Sequence, residues 1–130
     1  MRKIVVSLAL ACVVLVASGS VALAQLQGPL ISVNPTSYDF GQAPLYTVSS
    51  FVLTVYNTGD APLTVYSVKT RAPFIDSVSA PFIIAPGGHA KINVGFAPTQ
   101  VGVFSGVVTL DTNAWNTPVV NVPLTGEGID

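Results

Sequence analysis

The stretch V48-S-S-F-V-L-T-V-Y-N57, followed by T58-G-D-A-P62 and then Leu63, decides the fold. Phe51, Leu53 and Val55 alternate with Ser50, Val52, Thr54 and Tyr56. A period of two places successive side chains on opposite faces of a strand, so this segment reads as a half-buried β-strand. Gly, Asp and Pro in the next five residues make a turn, because Gly tolerates unusual φ and Pro fixes its own.

Working outward, the same pattern recurs in both directions. Upstream, Leu30–Val33 is a short strand stopped by Asn34-Pro35, and Ser37–Phe40 is a second piece ended by Gly41. Downstream, Leu63–Thr70 carries Leu63, Val65 and Val68 inward. Residues 71–84, punctuated by Pro73 and Pro81, read as an edge strand with a break, since Pro cannot donate to a ladder. Pro86-Gly87-Gly88 turns the chain into His89–Phe96, with Ala90, Ile92, Val94 and Phe96 inward. Pro98–Gly102 leads to Val103–Leu110, with Phe104, Gly106, Val108 and Leu110 on one face. Asp111–Thr117 is a polar loop, Pro118–Thr125 is the last strand, and Gly126 onward is a tail. Gly41, Gly59 and Gly88 are the expected positive-φ turn residues. Seven to eight short strands with turn signals predict an all-β, antiparallel immunoglobulin-like β-sandwich.

Composition agrees with that reading. The 130-residue chain is 50% apolar and only 8% charged, where about 25% charged is usual. Part of the apolar excess sits in residues 1–24. Arg2 and Lys3 precede 21 uncharged residues, Ile4–Ala24, which end in Ala22-Leu23-Ala24. This is the pattern of an export signal cleaved after Ala24, with Gln25 as the new N-terminus. The alternative is an uncleaved anchor, which would be the only contact with a membrane. The positive-inside rule orients the segment the same way in both cases, so the remainder is exported to the periplasm, cell surface or exterior. Residues 25–29 are a short lead and 30–128 the domain. The one cysteine, Cys12, lies inside the signal, so the fold holds without a disulfide.

Six phrases recur in order: Asn34-Pro35 with Tyr38-Asp39-Phe40-Gly41; Asn57-Thr58-Gly59-Asp60-Ala61-Pro62-Leu63; Ile84-Ala85-Pro86-Gly87-Gly88; Val94-Gly95-Phe96-Ala97-Pro98-Thr99; Gly102-Val103-Phe104-Ser105-Gly106; and Val122-Pro123-Leu124-Thr125-Gly126. Together they resemble the immunoglobulin-like domain of choice-of-anchor D proteins, which is similar to the ASH/Hydin domain and the major sperm protein fold. The resemblance implies a seven-stranded sandwich that binds proteins or spaces other domains, with no catalytic residues. Related periplasmic domains carry Cys-Gly-Cys after the third strand, where this chain reads Lys69-Thr70-Arg71-Ala72-Pro73.

The residues themselves offer little chemistry. Residues 25–130 hold three basic side chains (Lys69, Arg71, Lys91) against six acidic ones, so no basic patch supports nucleic-acid binding. A triad needs a base beside a nucleophile, and His89, in a turn, is the sole histidine. The acids Asp39, Asp60, Asp76, Asp111, Glu127 and Asp130 are scattered, and zinc needs several His or Cys ligands. No enzyme, cofactor or metal is expected. Counting strand directions places the loops 57–62, 85–89 and 111–117 at one end. There Trp115, Asn113, Asn116, Asp60 and His89 are the candidate partner-binding residues. Trp115 either folds back to cap the core or anchors a partner, and the sequence leaves both open. The expected role is an exported, non-catalytic protein-interaction or scaffold domain. The alternative is a carbohydrate- or ligand-binding accessory module using the 111–117 loop. The weakly charged surface, with Val52, Val107 and Val119 outward, adds self-association as an expectation.

Overall fold

The computed structural model describes residues 28–130. The expected export signal, its expected cleavage site and Cys12 lie outside the described residues. Nine strands form among those described: β1 (Ile31–Asn34), β2 (Tyr38–Pro44), β3 (Ser49–Asn57), β4 (Leu63–Lys69), β5 (Phe74–Asp76), β6 (Phe82–Ile84), β7 (His89–Phe96), β8 (Gly102–Thr112) and β9 (Val119–Ile129). One sheet has the order β2-β9-β8-β4-β6 and the other β1-β3-β7-β5. The alternating residues of the inner faces make one core: Leu53 and Val55, Leu63 and Val65, Ile92, Val94 and Phe96, Val108 and Leu110, Val122 and Leu124. Val52, Val107 and Val119 are outward and exposed.

All pairs are antiparallel except one. β2 runs parallel to β9, with Leu124 opposite Tyr38 and Ile129 opposite Pro44. The chain crosses from one sheet to the other between β1 and β2, and that sheet switch brings β2 alongside β9 in the parallel sense. The 71–84 segment makes the same manoeuvre on the opposite flank. Its two halves become β5, paired with β7, and β6, paired with β4, so the break separates edge strands of different sheets.

Two strands run past a glycine at which the sequence reading ended them. β2 continues through Gly41, whose φ of 69° forms a bulge against β9 that one extra residue on β2 fills. β9 continues through Gly126 to Ile129 instead of fraying into a tail. At Gly126 a β-carbon would stand 2.7 Å from the Phe96 ring, so glycine marks a close approach and not a chain end. Gly59 and Gly88 do not take positive φ; Gly87 does, at 77°. Val68 reaches the core because a bulge between Val65 and Ser67 resets the alternation of β4.

The core is graded along its length. Toward the 57–62 end it is aliphatic. Toward the other end Tyr38, Phe40, Phe51, Phe74, Phe96 and Phe104 form a continuous aromatic cluster, with Tyr38 stacked on Phe51 at 4.0 Å and Phe74 on Phe96 at 5.2 Å. Burying one such ring stabilises the fold by about 1.5–3 kcal/mol, and each ring contact adds about 0.5–1.5 kcal/mol. Gly106 and Gly126 on the opposing sheet leave room for Phe74 and Phe96.

Candidate functional site

The end of the sandwich carrying the 57–62 and 113–118 loops is organised around the lead segment 28–31. Asn57, at the end of β3, is 1% exposed and serves as a hub. Its Nδ2 donates to Ala61 O at 2.8 Å and Ile84 O at 3.0 Å, while its Oδ1 accepts from Gly59 N at 3.0 Å. Gly59 is required because a β-carbon there would strike Gly28 O. Asp60 Oδ1 accepts from Gly28 N at 2.6 Å, and Asp60 N donates to Gly28 O at 3.1 Å.

The polar residues of the following loop are engaged in the same way. Asn113 Oδ1 accepts from Thr64 N at 2.7 Å while Asn113 N donates to Thr64 O, which extends the β4–β8 ladder by one rung. Asn116 brackets Ile31: its Oδ1 accepts from Ile31 N and its Nδ2 donates to Ile31 O, both at 3.0 Å. Ile31 N–H and C=O point away from β3, so this side-chain amide takes the place of a neighbouring strand. Asn113, Asn116 and Asp60 therefore hold backbone in place. Trp115 N donates to Pro29 O at 2.8 Å, and the indole lies over Gly28, where any β-carbon would collide with the ring. The ring covers buried Gly28 but remains 68% exposed.

Of the five candidate residues, Asp60, Asn113, Trp115 and Asn116 thus surround the 28–31 segment. His89 does not join them. It points to the outer face of its sheet, where its ring stands 5.9 Å from that of its cross-strand partner Tyr56. Asp111 accepts from Ser67 Oγ at 2.9 Å. Among the described residues no group of three or more His, Cys, Asp or Glu is placed to hold a metal ion. The sequence reading marked 25–29 only as a short lead, and its place at the centre of this loop end escaped it, because Gly28 and Pro29 carry no periodic signal.

A second surface lies on the flank where β4 ends. A cleft of about 590 Å³ opens there between the two sheets, lined by Val68, Lys69, Arg71, Phe74, Asp76 and Val107 among others.

Comparison with known proteins places this architecture. Residues 29–127 match the family model described as HYDIN/CFA65/VesB-like, Ig-like domain. No curated protein matches the chain in sequence. Among solved structures, the ASH / PapD-like domain of human CEP192 (PapD-like domain 7) is similar at 15% identity and TM-score 0.66, over 77% of this chain and 85% of that one. A protein of unknown function from Porphyromonas gingivalis W83 is similar at 19% identity and TM-score 0.68, over 95% of this chain and 54% of that one. The Vibrio cholerae VesB protease is similar at 15% identity and TM-score 0.61, over 83% of this chain but only 34% of the protease. At these identities the likeness is one of fold. Over residues 29–127 the chain belongs to the HYDIN/CFA65/VesB-like Ig-like domain family.

Proposed function

We propose that the chain is an exported, non-catalytic protein-interaction domain, and that it meets a partner through the loop end around Trp115. The observation that carries this reading is the division of labour there. Asp60, Asn113 and Asn116 fix the backbone, and the one residue left presented is a large, rigid aromatic, the side-chain type enriched at binding hot spots. A platform ordered before binding loses little conformational freedom when a partner arrives. The carbohydrate-binding alternative also uses Trp115, but it needs polar groups beside the ring, and the Asn113 and Asn116 amides already bond to Thr64 and Ile31.

Export is inferred from residues 1–24, and N-terminal sequencing of the protein recovered from cells should begin at Gln25. Recovery of an intact Met1 terminus in the membrane fraction would show an anchor instead. For the loop end, the domain is cross-linked to exported proteins of its own cell and the captured species identified. Trp115→Ala should lower capture about tenfold or more, as for a hot-spot aromatic. Equal capture by the variant places the contact elsewhere, and a glycan-array signal lost on the same substitution would favour the carbohydrate reading.

A further inference from the structure

We propose that the flank between β4 and β5 is a strand-accepting groove, in which an acidic, extended peptide of a partner protein adds to the unpaired edge of β8 at Val103–Val107. This rests on the reading of the domain as a protein-binding module, but it uses a surface away from Trp115.

The unpaired edge follows from register. β4 pairs with β8 only from Val65 opposite Thr112 to Lys69 opposite Thr109. Beyond Lys69 the chain leaves that sheet for β5 in the other one. β8 therefore continues from Val108 back to Gly102 with a neighbour only on its β9 side. Thr112 N donates to the opposite residue, Pro118, at 2.7 Å, which makes 112/118 a hydrogen-bonded pair. The β8–β9 register is continuous, so the even-numbered residues of β8 bond to β9 and the odd-numbered ones face away. Thr109 and Asp111 have this outward parity, and they are where β4 pairs. Val103, Ser105 and Val107 have it too, and direct three N–H and three C=O groups into the open flank. Val103 is 74% exposed and Val107 39%.

The cleft beside this edge, about 590 Å³, falls in the range of ligand-binding clefts. The Phe74 ring lies over Gly106, which has no side chain to fill the space. Thr70 lines the cleft, and its Oγ1 is the single buried side-chain oxygen or nitrogen without a hydrogen-bond partner among the described residues. An incoming backbone would supply partners to the β8 edge.

Charge selects the occupant. Lys69 and Arg71, both exposed, line the cleft and are two of the three cations in residues 28–130. The third, Lys91, is on the outer face of the other sheet opposite Thr54. Asp76 is the one acid in the lining. A domain that is acidic as a whole thus gathers its positive charge beside its longest unpaired stretch of β8, which is complementary to a strand bearing carboxylates. Four other edges are less receptive. Asn116 occupies β1 at Ile31, the Gly41 bulge interrupts β2, and β6 is three residues long between Pro81 and Pro86. On the open stretch of β9, Pro123 lacks the N–H that would face a partner.

The test pans a phage-displayed library of random dodecapeptides on the exported protein as recovered from cells, then measures the enriched peptides in solution. The expected peptides are acidic, alternate apolar residues in period two, weaken with salt, and slow hydrogen exchange at Ser105 and Val107. The double reversal Lys69→Glu with Arg71→Glu should weaken them about tenfold or more. Val107→Pro, which deletes one outward N–H and leaves the β8–β9 bonds, should do the same. If that variant fails to fold, the double reversal, at two exposed positions, carries the test. Trp115→Ala should leave these peptides bound. The proposal is overturned if no peptide is enriched, if the enriched peptides ignore the charge reversal, or if the protected amides lie on β9. It is equally overturned if the protein dimerises by protecting Ser105 and Val107 unaided, since a second copy is then the occupant. Partner capture that depends on Trp115 while the groove fails these tests would leave the proposed function standing and remove only the groove.

Discussion

Each flank of the sandwich is made by one manoeuvre, a chain that leaves one sheet for the other, and the two flanks end differently. On one, β1 hands over to β2 between Asn34 and Tyr38; on the other, β4 hands over to β5 between Lys69 and Phe74. A sheet switch always strands a length of edge. On the β1–β2 flank the outer edge of β1 is closed where Asn116 brackets Ile31, and beyond β2 Leu45 N and Tyr46 N donate to Ile129 O and Pro98 O. On the β4–β5 flank Val103, Ser105 and Val107 face a cleft beside two cations. The difference teaches that a polar side chain near an edge has two uses. It closes the edge and becomes structural, as an amide does, or it stands beside an open edge as a charge and remains available.

If the closed end is structural, breaking its hub should cost the most. Asn57→Ala leaves Ala61 O, Ile84 O and Gly59 N without partners at a site that admits little water. A loss of about 3 kcal/mol in urea denaturation is expected, from about 1–1.5 kcal/mol for each bond. A loss below about 1 kcal/mol would mean that the loops hold themselves. The next effect concerns packing, not edges. Gly126→Ala presses a methyl into the Phe96 ring, and about 2 kcal/mol of overpacking is expected in the same measurement.

These two residues also show how far the sequence was legible. Alternation located the inner faces of β3, β4, β7, β8 and β9, because one face meets a core and the other meets water. Gly126 was misread as the start of a tail. Glycine in a sequence signals either a turn or a close approach, and only the tertiary partner, here Phe96, decides which. The clustering of loops 57–62 and 111–117 followed from strand direction, but the role of their polar residues did not. Asn113 and Asn116 look like ligand contacts in the sequence, whereas their partners, Thr64 and Ile31, lie 49 and 85 residues away. The open edge of β8 was invisible for a related reason. It depends on where β4 stops pairing, and Lys69-Thr70-Arg71 carries no period to mark that point.

Asn116→Ala tests the closed flank more gently. It removes two hydrogen bonds to Ile31 at a partly exposed site, so about 1 kcal/mol is expected, and Ile31 N–H should exchange faster. Unchanged exchange at Ile31 would show that the edge is covered by something other than the amide.

The smallest effect belongs to the open flank. Lys69→Glu with Arg71→Glu should leave stability within about 0.5 kcal/mol of the unchanged domain, because both side chains are exposed. The same four-charge reversal acts on any anionic partner of the β8 edge. A stability loss as large as that of Asn116→Ala would mean that the two cations hold the β4–β5 crossing in place. The flanks would then differ in chemistry but not in purpose. A neutral result leaves the cations without a structural task, and it ties the contrast between the flanks to what each surface can accept.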